Sequence, residues 1–133
     1  MQRELWLAAV PESAAIARAI VREAAGEQGL DGNAIWDLML ATTEAVANAV
    51  LHGQGCAENG TIRLEIQASE SGLYVEVCDC GRFGRRRRAP ASEDSLGGRG
   101  IPLMSAVTDD FELRPELGGT RVRFGKRCIA AAA

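Results

Sequence analysis

The chain has 133 residues, 47% of them hydrophobic and 25% charged, and a formal net charge of −3. That length suits one domain by the prior of about 100–200 residues per domain, with a core large enough to need no staples. Lys126 is its single lysine and His52 its single histidine, which excludes a P-loop Gly-Lys-Ser/Thr, an HExxH zinc site and the strand lysine of an ordinary protein kinase.

The first segment, with Leu5, Leu7 and Ala9 alternating with Trp6 and Ala8, predicts a short strand. Its apolar run ends at Val10, shorter than the about 7–15 residues of a secretory signal. No apolar run approaches the about 20 residues of a membrane span, so the expectation is a cytoplasmic protein without membrane contact. Pro11-Glu12-Ser13 then opens a helix, since proline and an acid suit a first turn. Ala15, Ile16, Ala19, Ile20 and Ala24 recur at helical spacing, and Gly26 and Gly29 close the segment. Asp31 is a plausible N-cap for a second helix ending at Gly53. Its stripe is Ile35, Leu38, Met39, Thr42, Ala45, Val46, Ala49 and Val50.

Ile62, Leu64, Ile66 and Ala68 alternate with polar residues, predicting a strand with one wet face. Ser71-Gly72 is the turn, and Leu73, Val75 and Val77 make the returning strand. From Gly81 to Gly98 no period survives, and loops of that length are commonly lids or binding loops. A short helix from Arg99 to about Val107 and a last hairpin follow. That hairpin pairs Phe111-Leu113 with Val122-Phe124 around a turn at Pro115 to Gly119. Helices on one face of a mixed, mostly antiparallel sheet make an α+β, two-layer sandwich.

The four cysteines, Cys56, Cys78, Cys80 and Cys128, contain no C-x-x-C pair. They read better as buried free thiols than as zinc ligands. Five arginines fall within residues 82–88 of an otherwise acidic chain. A solvated loop, an acidic partner and a phosphate-facing loop are all compatible with that run. Nucleic acid is disfavoured by a pI near 5.2 and by aromatic residues too few for base stacking.

Glu44, Asn48 and His52 stand four apart on one helix face. Asp79-Cys80-Gly81 ends an apolar strand, Gly97-Gly98-Arg99-Gly100 opens a helix, and Gly118-Gly119-Thr120 precedes the last strand. Glycines at a helix N-terminus let backbone N–H groups approach a phosphate. Alone each has a bland explanation: a wet helix face, a turn, a glycine run, a hairpin.

In this order the four resemble the N, G1, G2 and G3 boxes of the Bergerat-fold, or GHKL, ATP-binding superfamily. Within it the chain is similar to the stand-alone anti-sigma-factor serine kinases of the RsbW and SpoIIAB type, from about residue 5 to 125. The resemblance implies a single domain over 1–133 with residues 82–97 as the ATP lid. It implies ATP or ADP bound with Mg²⁺, Asn48 supplying an oxygen to the metal and Asp79 accepting a hydrogen bond from the adenine amino group. Gly81 would leave room for the base, Gly98 and Gly100 would wrap the phosphates, and Thr120 would help hold the base end. Glu44 would be the general base toward a serine hydroxyl, and His52 is taken as structural. Gly81-Arg82-Phe83-Gly84 departs from the usual Asp-x-Gly-x-Gly spacing of G1 by one place.

The partners implied are a STAS-domain anti-anti-sigma factor, a sigma factor and, as is common in that family, a second copy of the chain; nucleic acid would not be touched directly. The alternative is a non-catalytic, ATP- or ADP-gated binding module. A histidine kinase is less well matched, because no dimerisation helix with a phosphoacceptor histidine is found.

Overall fold

A computed structural model describes residues 1–53, 60–79, 101–116 and 119–128. The elements are β1 (Gln2–Ala8), α1 (Glu12–Gln28), α2 (Gly32–Gly53), β2 (Thr61–Ser69) and β3 (Gly72–Asp79). Helical residues 101–107, here α3, precede β4 (Asp110–Glu116) and β5 (Gly119–Arg127).

The strands form one sheet in the order β1-β2-β3-β5-β4. Every neighbouring pair is antiparallel. The helices cover one face, so the α+β sandwich expected from the sequence is the fold observed.

Local chemistry accounts for the boundaries. Ser13, almost fully buried, donates through Oγ to the Ala8 carbonyl at 2.6 Å and ties α1 to the end of β1. Gly29, in the left-handed region at φ 86°, ends α1, with Leu30 N–H bonded to the Ala25 carbonyl, a Schellman-type cap. Gly26 lies inside α1 rather than ending it. Asp31 caps α2 as expected, its Oδ1 accepting from Ala34 N–H at 2.8 Å.

The β2–β3 turn is Glu70-Ser71, and Gly72 is already the first residue of β3. Its φ of +153° and the Lys126 carbonyl, 2.4 Å from where a Cβ would sit, leave room for no side chain. Pro115 belongs to β4 rather than to a turn. β4 is an edge strand, where proline's missing N–H is tolerated.

The core lies between sheet and helices, around Leu38, Val46, Ile62, Leu64, Val75, Met104 and Phe124. The α2 stripe expected from the sequence is buried at Leu38, Thr42, Ala45, Val46, Ala49 and Val50. In α1 the buried face is Ser13, Ala17, Val21, Ala24 and Ala25 instead. Ile16, expected inside, is 50% exposed. Alanine around the whole circumference gave that helix no unique apolar stripe.

Among the described residues the opposite face of the sheet carries no helix, and it is a charge ladder. Arg63 donates to Glu4 at 3.2 Å, Glu65 at 3.1 Å, Glu76 at 3.3 Å and the Cys78 sulfur at 3.1 Å. Burial works to lower the Arg63 pKa, yet the hydrogen bond to Glu65 and the charges of Cys78 and Glu76 hold it above its ordinary range. Cys78 is thus half-buried on this polar face, not in the core. Burial pushes its thiol up to about 11, against the pull of Arg63. Cys128 is half-buried and free; Cys56 and Cys80 lie outside the described residues.

Candidate functional site

The chain's one lysine ties the start of α2 to the sheet. Lys126 Nζ, at the end of β5, bonds Asp37 Oδ2 and the Val107 carbonyl, both at 3.1 Å. This clamps the first turns of α2 and the end of α3 to one corner of the sheet. Lys126 lies opposite Leu73 at the start of β3, and α2 packs along β3. From Asp37 to Asn48 the helix advances about 16 Å, against about 20 Å of strand from Leu73 to Asp79. The later turns of α2, with Glu44 and Asn48, therefore run toward the strand end that holds Asp79.

At that end Asp79 on β3 is directly opposite Thr120 on β5. Strand alternation puts Asp79 on the same face as buried Val75 and Val77, and Thr120 with buried Val122 and Phe124. Both therefore face the helical layer. Asp79 is half-buried. Thr120 is only 6% exposed, and its Oγ1 has no hydrogen-bond partner among the described residues.

Glu44 and Asn48 are half-buried and one turn apart. The small buried residues Ala45 and Ala49 let this part of the helix lie close to the sheet. Thr43, beside Glu44, is held by Arg18 Nη1 at 2.9 Å and donates to the Met39 carbonyl at 2.8 Å. These contacts pin α2 to α1 at the level of the candidate carboxylate.

Four of the seven residues singled out in the sequence are thus carried on two adjoining strand ends and the helix that runs toward them. The other three, Gly81, Gly98 and Gly100, and the expected lid at 82–97, lie outside the described residues. The backbone of His52 is the penultimate position of α2. Sequence reasoning missed the role of Lys126 as a clamp. Its isolation as the single lysine was the only signal, and that signal said nothing of Asp37, 89 positions away.

The donor set tests well against Mg-nucleotide. Thr42 and Thr120 both bury a hydroxyl without a partner among the described residues; such a group is costly unless something supplies its partner, and Thr120 is the one on the same layer as Asp79. An amide oxygen suits a hard cation that keeps waters and phosphate oxygens as its other ligands. A five-stranded antiparallel sheet under helices, with an acid and a buried hydroxyl on adjoining strand ends, is compatible with an α+β nucleotide-binding ATPase of the Bergerat type. The chain belongs to the histidine kinase-like ATPase domain family, whose model matches residues 7–126.

Among its relatives, the serine-protein kinase RsbW of Listeria innocua is 32% identical over 120 residues, covering 82% of this chain and 76% of that protein. The anti-sigma F factor of Clostridium beijerinckii is 28% identical over 125 residues, with 87% of each chain covered. A crystal structure of the RsbU and RsbW domains of a Mycobacterium tuberculosis protein superposes with a TM-score of 0.74 at 24% identity. The match covers 96% of this chain, which spans about a third (32%) of that one.

Proposed function

We propose that this chain is an anti-sigma factor with ATP-dependent protein serine/threonine kinase activity. It binds Mg-ATP and phosphorylates a serine of a STAS-domain anti-anti-sigma factor. When unphosphorylated partner is scarce it holds a sigma factor instead, its ATP- or ADP-bound state setting the choice. The observation that carries this reading is Glu44, half-buried and one helical turn before Asn48, on the helix that runs toward Asp79 and Thr120.

Each residue has a task its chemistry suits. Asn48 offers an amide oxygen to Mg²⁺ without adding charge. Bound there, Mg²⁺ would offset the phosphate charge as transfer proceeds. Asp79 accepts from the adenine amino group, and the Thr120 hydroxyl gains there a partner it lacks among the described residues. Gly81 makes space for the base, and Gly98 and Gly100 offer backbone N–H groups to the phosphates. Glu44 accepts the serine proton as the hydroxyl oxygen bonds the γ-phosphorus and the bond to the β-phosphate oxygen breaks. Positioning and electrostatics supply most of the rate in such transfers, and a carboxylate already held by α2 supplies both. The single domain over 1–133, with residues 82–97 as its lid, acts in the cytoplasm as a homodimer and touches neither nucleic acid nor membrane directly.

The test separates binding from chemistry. Mg-ATP should raise the melting temperature, and Asn48→Ala should remove most of that rise. Glu44→Gln should keep the rise and lose phosphate transfer to the STAS-domain partner. No nucleotide-dependent shift in the wild type would refute the ATP site. Undiminished transfer by Glu44→Gln would remove Glu44 from the base role, and binding without any transfer would leave a gated module.

A further inference from the structure

α2 is apolar well beyond the stripe that the core uses. Contrary to the expectation from the sequence that nothing approaches a membrane span, residues Gly32–Leu51 are long and apolar enough for one by length and composition, with a mean hydropathy of 1.2, and 39% of that stretch is buried inside the protein. On the arc facing away from the sheet stand Trp36, Leu40, Ala47 and Leu51. Trp36 is 64% and Leu51 42% exposed; Ala47 is exposed and Leu40 half-buried. The outward arc of a surface helix is ordinarily polar, whereas this one carries Trp36 and Leu40 before Thr43 and Glu44, and Ala47 and Leu51 after them; exposed apolar side chains grouped on one face mark interaction sites. Glu44 stands on the shoulder of this arc, one turn from both Leu40 and Ala47.

We propose that this arc of α2 is the docking surface for the phosphoacceptor protein. The inference rests on the reading that Glu44 takes a proton from a protein serine. A serine that reaches Glu44 belongs to a folded partner, and that partner must cover the ground around Glu44. A standard interface takes about 800 Å² per partner, roughly a disc of 16 Å radius. Trp36 lies eight residues from Glu44, about 12 Å along the axis, and so falls within it. The partner that matches is an apolar patch bordering its serine, with Trp36 as the aromatic anchor, the residue type that dominates binding energy.

Two other occupants fit less well. A membrane-surface helix flanks its apolar face with lysine or arginine, whereas residues 32–53 contain neither and carry Asp37 and Glu44. A second copy packed here about a two-fold axis would crowd Glu44 with its own equivalent and shut the serine out.

Trp6→Phe leaves Trp36 as the only tryptophan, since the chain has two. The probes are the purified, unphosphorylated STAS-domain proteins of the same genome, added one at a time in Mg-ADP. The protein that accepts phosphate in Mg-ATP should blue-shift Trp36 emission and protect it from acrylamide. Trp36→Phe, which keeps Trp6 beside Arg63 on the opposite sheet face, should show neither change. Trp36→Arg and Ala47→Arg should raise the KM for that protein by about tenfold or more, with Mg-ATP affinity held within about twofold. Transfer with Trp36 still open to quencher and KM unchanged would overturn the docking surface while leaving the kinase reading intact. If no STAS-domain protein accepts phosphate, the kinase reading fails and the docking surface falls with it. Protection that grows with the chain's own concentration, or that appears on phosphatidylglycerol vesicles, would assign the arc to self-association or to lipid and overturn the proposal.

Discussion

Replacing Thr120 by valine should move stability and nucleotide affinity in opposite directions. Thr120 is 6% exposed, and its Oγ1 is buried without a partner among the described residues. A buried polar group left unsatisfied costs about 1–3 kcal/mol. Valine keeps the β-branched shape and the strand preference and removes that cost. Without ligand the variant should therefore be more stable by about 1–2 kcal/mol, or roughly 3–8 °C in Tm for a domain of this size. With Mg-ATP the lost hydrogen bond, about 0.5–1.5 kcal/mol, should weaken binding roughly two- to tenfold. Differential scanning fluorimetry with and without nucleotide, plus titration calorimetry for Kd, reads both effects. Thr120→Ser should keep the affinity. A lower ligand-free Tm for Thr120→Val would refute the burial argument, and a raised Tm with unchanged Kd would place the hydroxyl outside the nucleotide site.

Lys126→Met should cost about 1–3 kcal/mol in urea unfolding, because it strands Asp37 and the Val107 carbonyl; an unchanged urea midpoint would show that the clamp is idle. Gly72→Ala should destabilise by more than about 1 kcal/mol, since its Cβ would meet the Lys126 carbonyl at 2.4 Å, and a neutral effect on Tm would refute that crowding. The Cys78 thiol, raised from 9.0 to about 11 in the fold, should be about one-thousandth thiolate at pH 8 rather than about a tenth. It should therefore alkylate more slowly with iodoacetamide in the folded protein than in the urea-unfolded chain, as peptide mapping would show; equal rates would contradict the shift. The sign for stability follows: the fold holds this proton more tightly than the unfolded chain, so the Cys78 contribution is whole below about pH 9 and fades as pH rises through 11.

How legible the fold was depended on whether an element's pattern had one solution. In α2, β-branched and large residues at Ile35, Leu38, Val46 and Val50 fell on one stripe, and the structure buries it, leaving Trp36 and Leu51 exposed on the other side. In α1, Ala14, Ala15, Ala17 and Ala19 could face either way. There the apolar side chains did not decide alone; Ser13 Oγ bonding the Ala8 carbonyl and Arg18 bonding Thr43 fix which face meets the sheet and α2. Cys78 was misread as a core thiol because an apolar strand hides its parity until pairing is known. Opposite Arg63 and Arg121, it belongs to the charged face.

The candidate site divides the same way. Glu44, Asn48, Asp79 and Thr120 were singled out because their motifs, in that order, resemble the four boxes of a known family; each motif alone had a bland explanation. Sequence spacing alone also placed Glu44 and Asn48 on one face, since helical period is local. That Asp79 and Thr120, 41 positions apart, stand directly opposite is a matter of strand register, which only the pairing of β3 with β5 decides. The direction of α2 across that sheet was likewise beyond the sequence. Its start is fastened at one corner of the sheet by Lys126 bonding Asp37, a long-range contact that no local pattern marks.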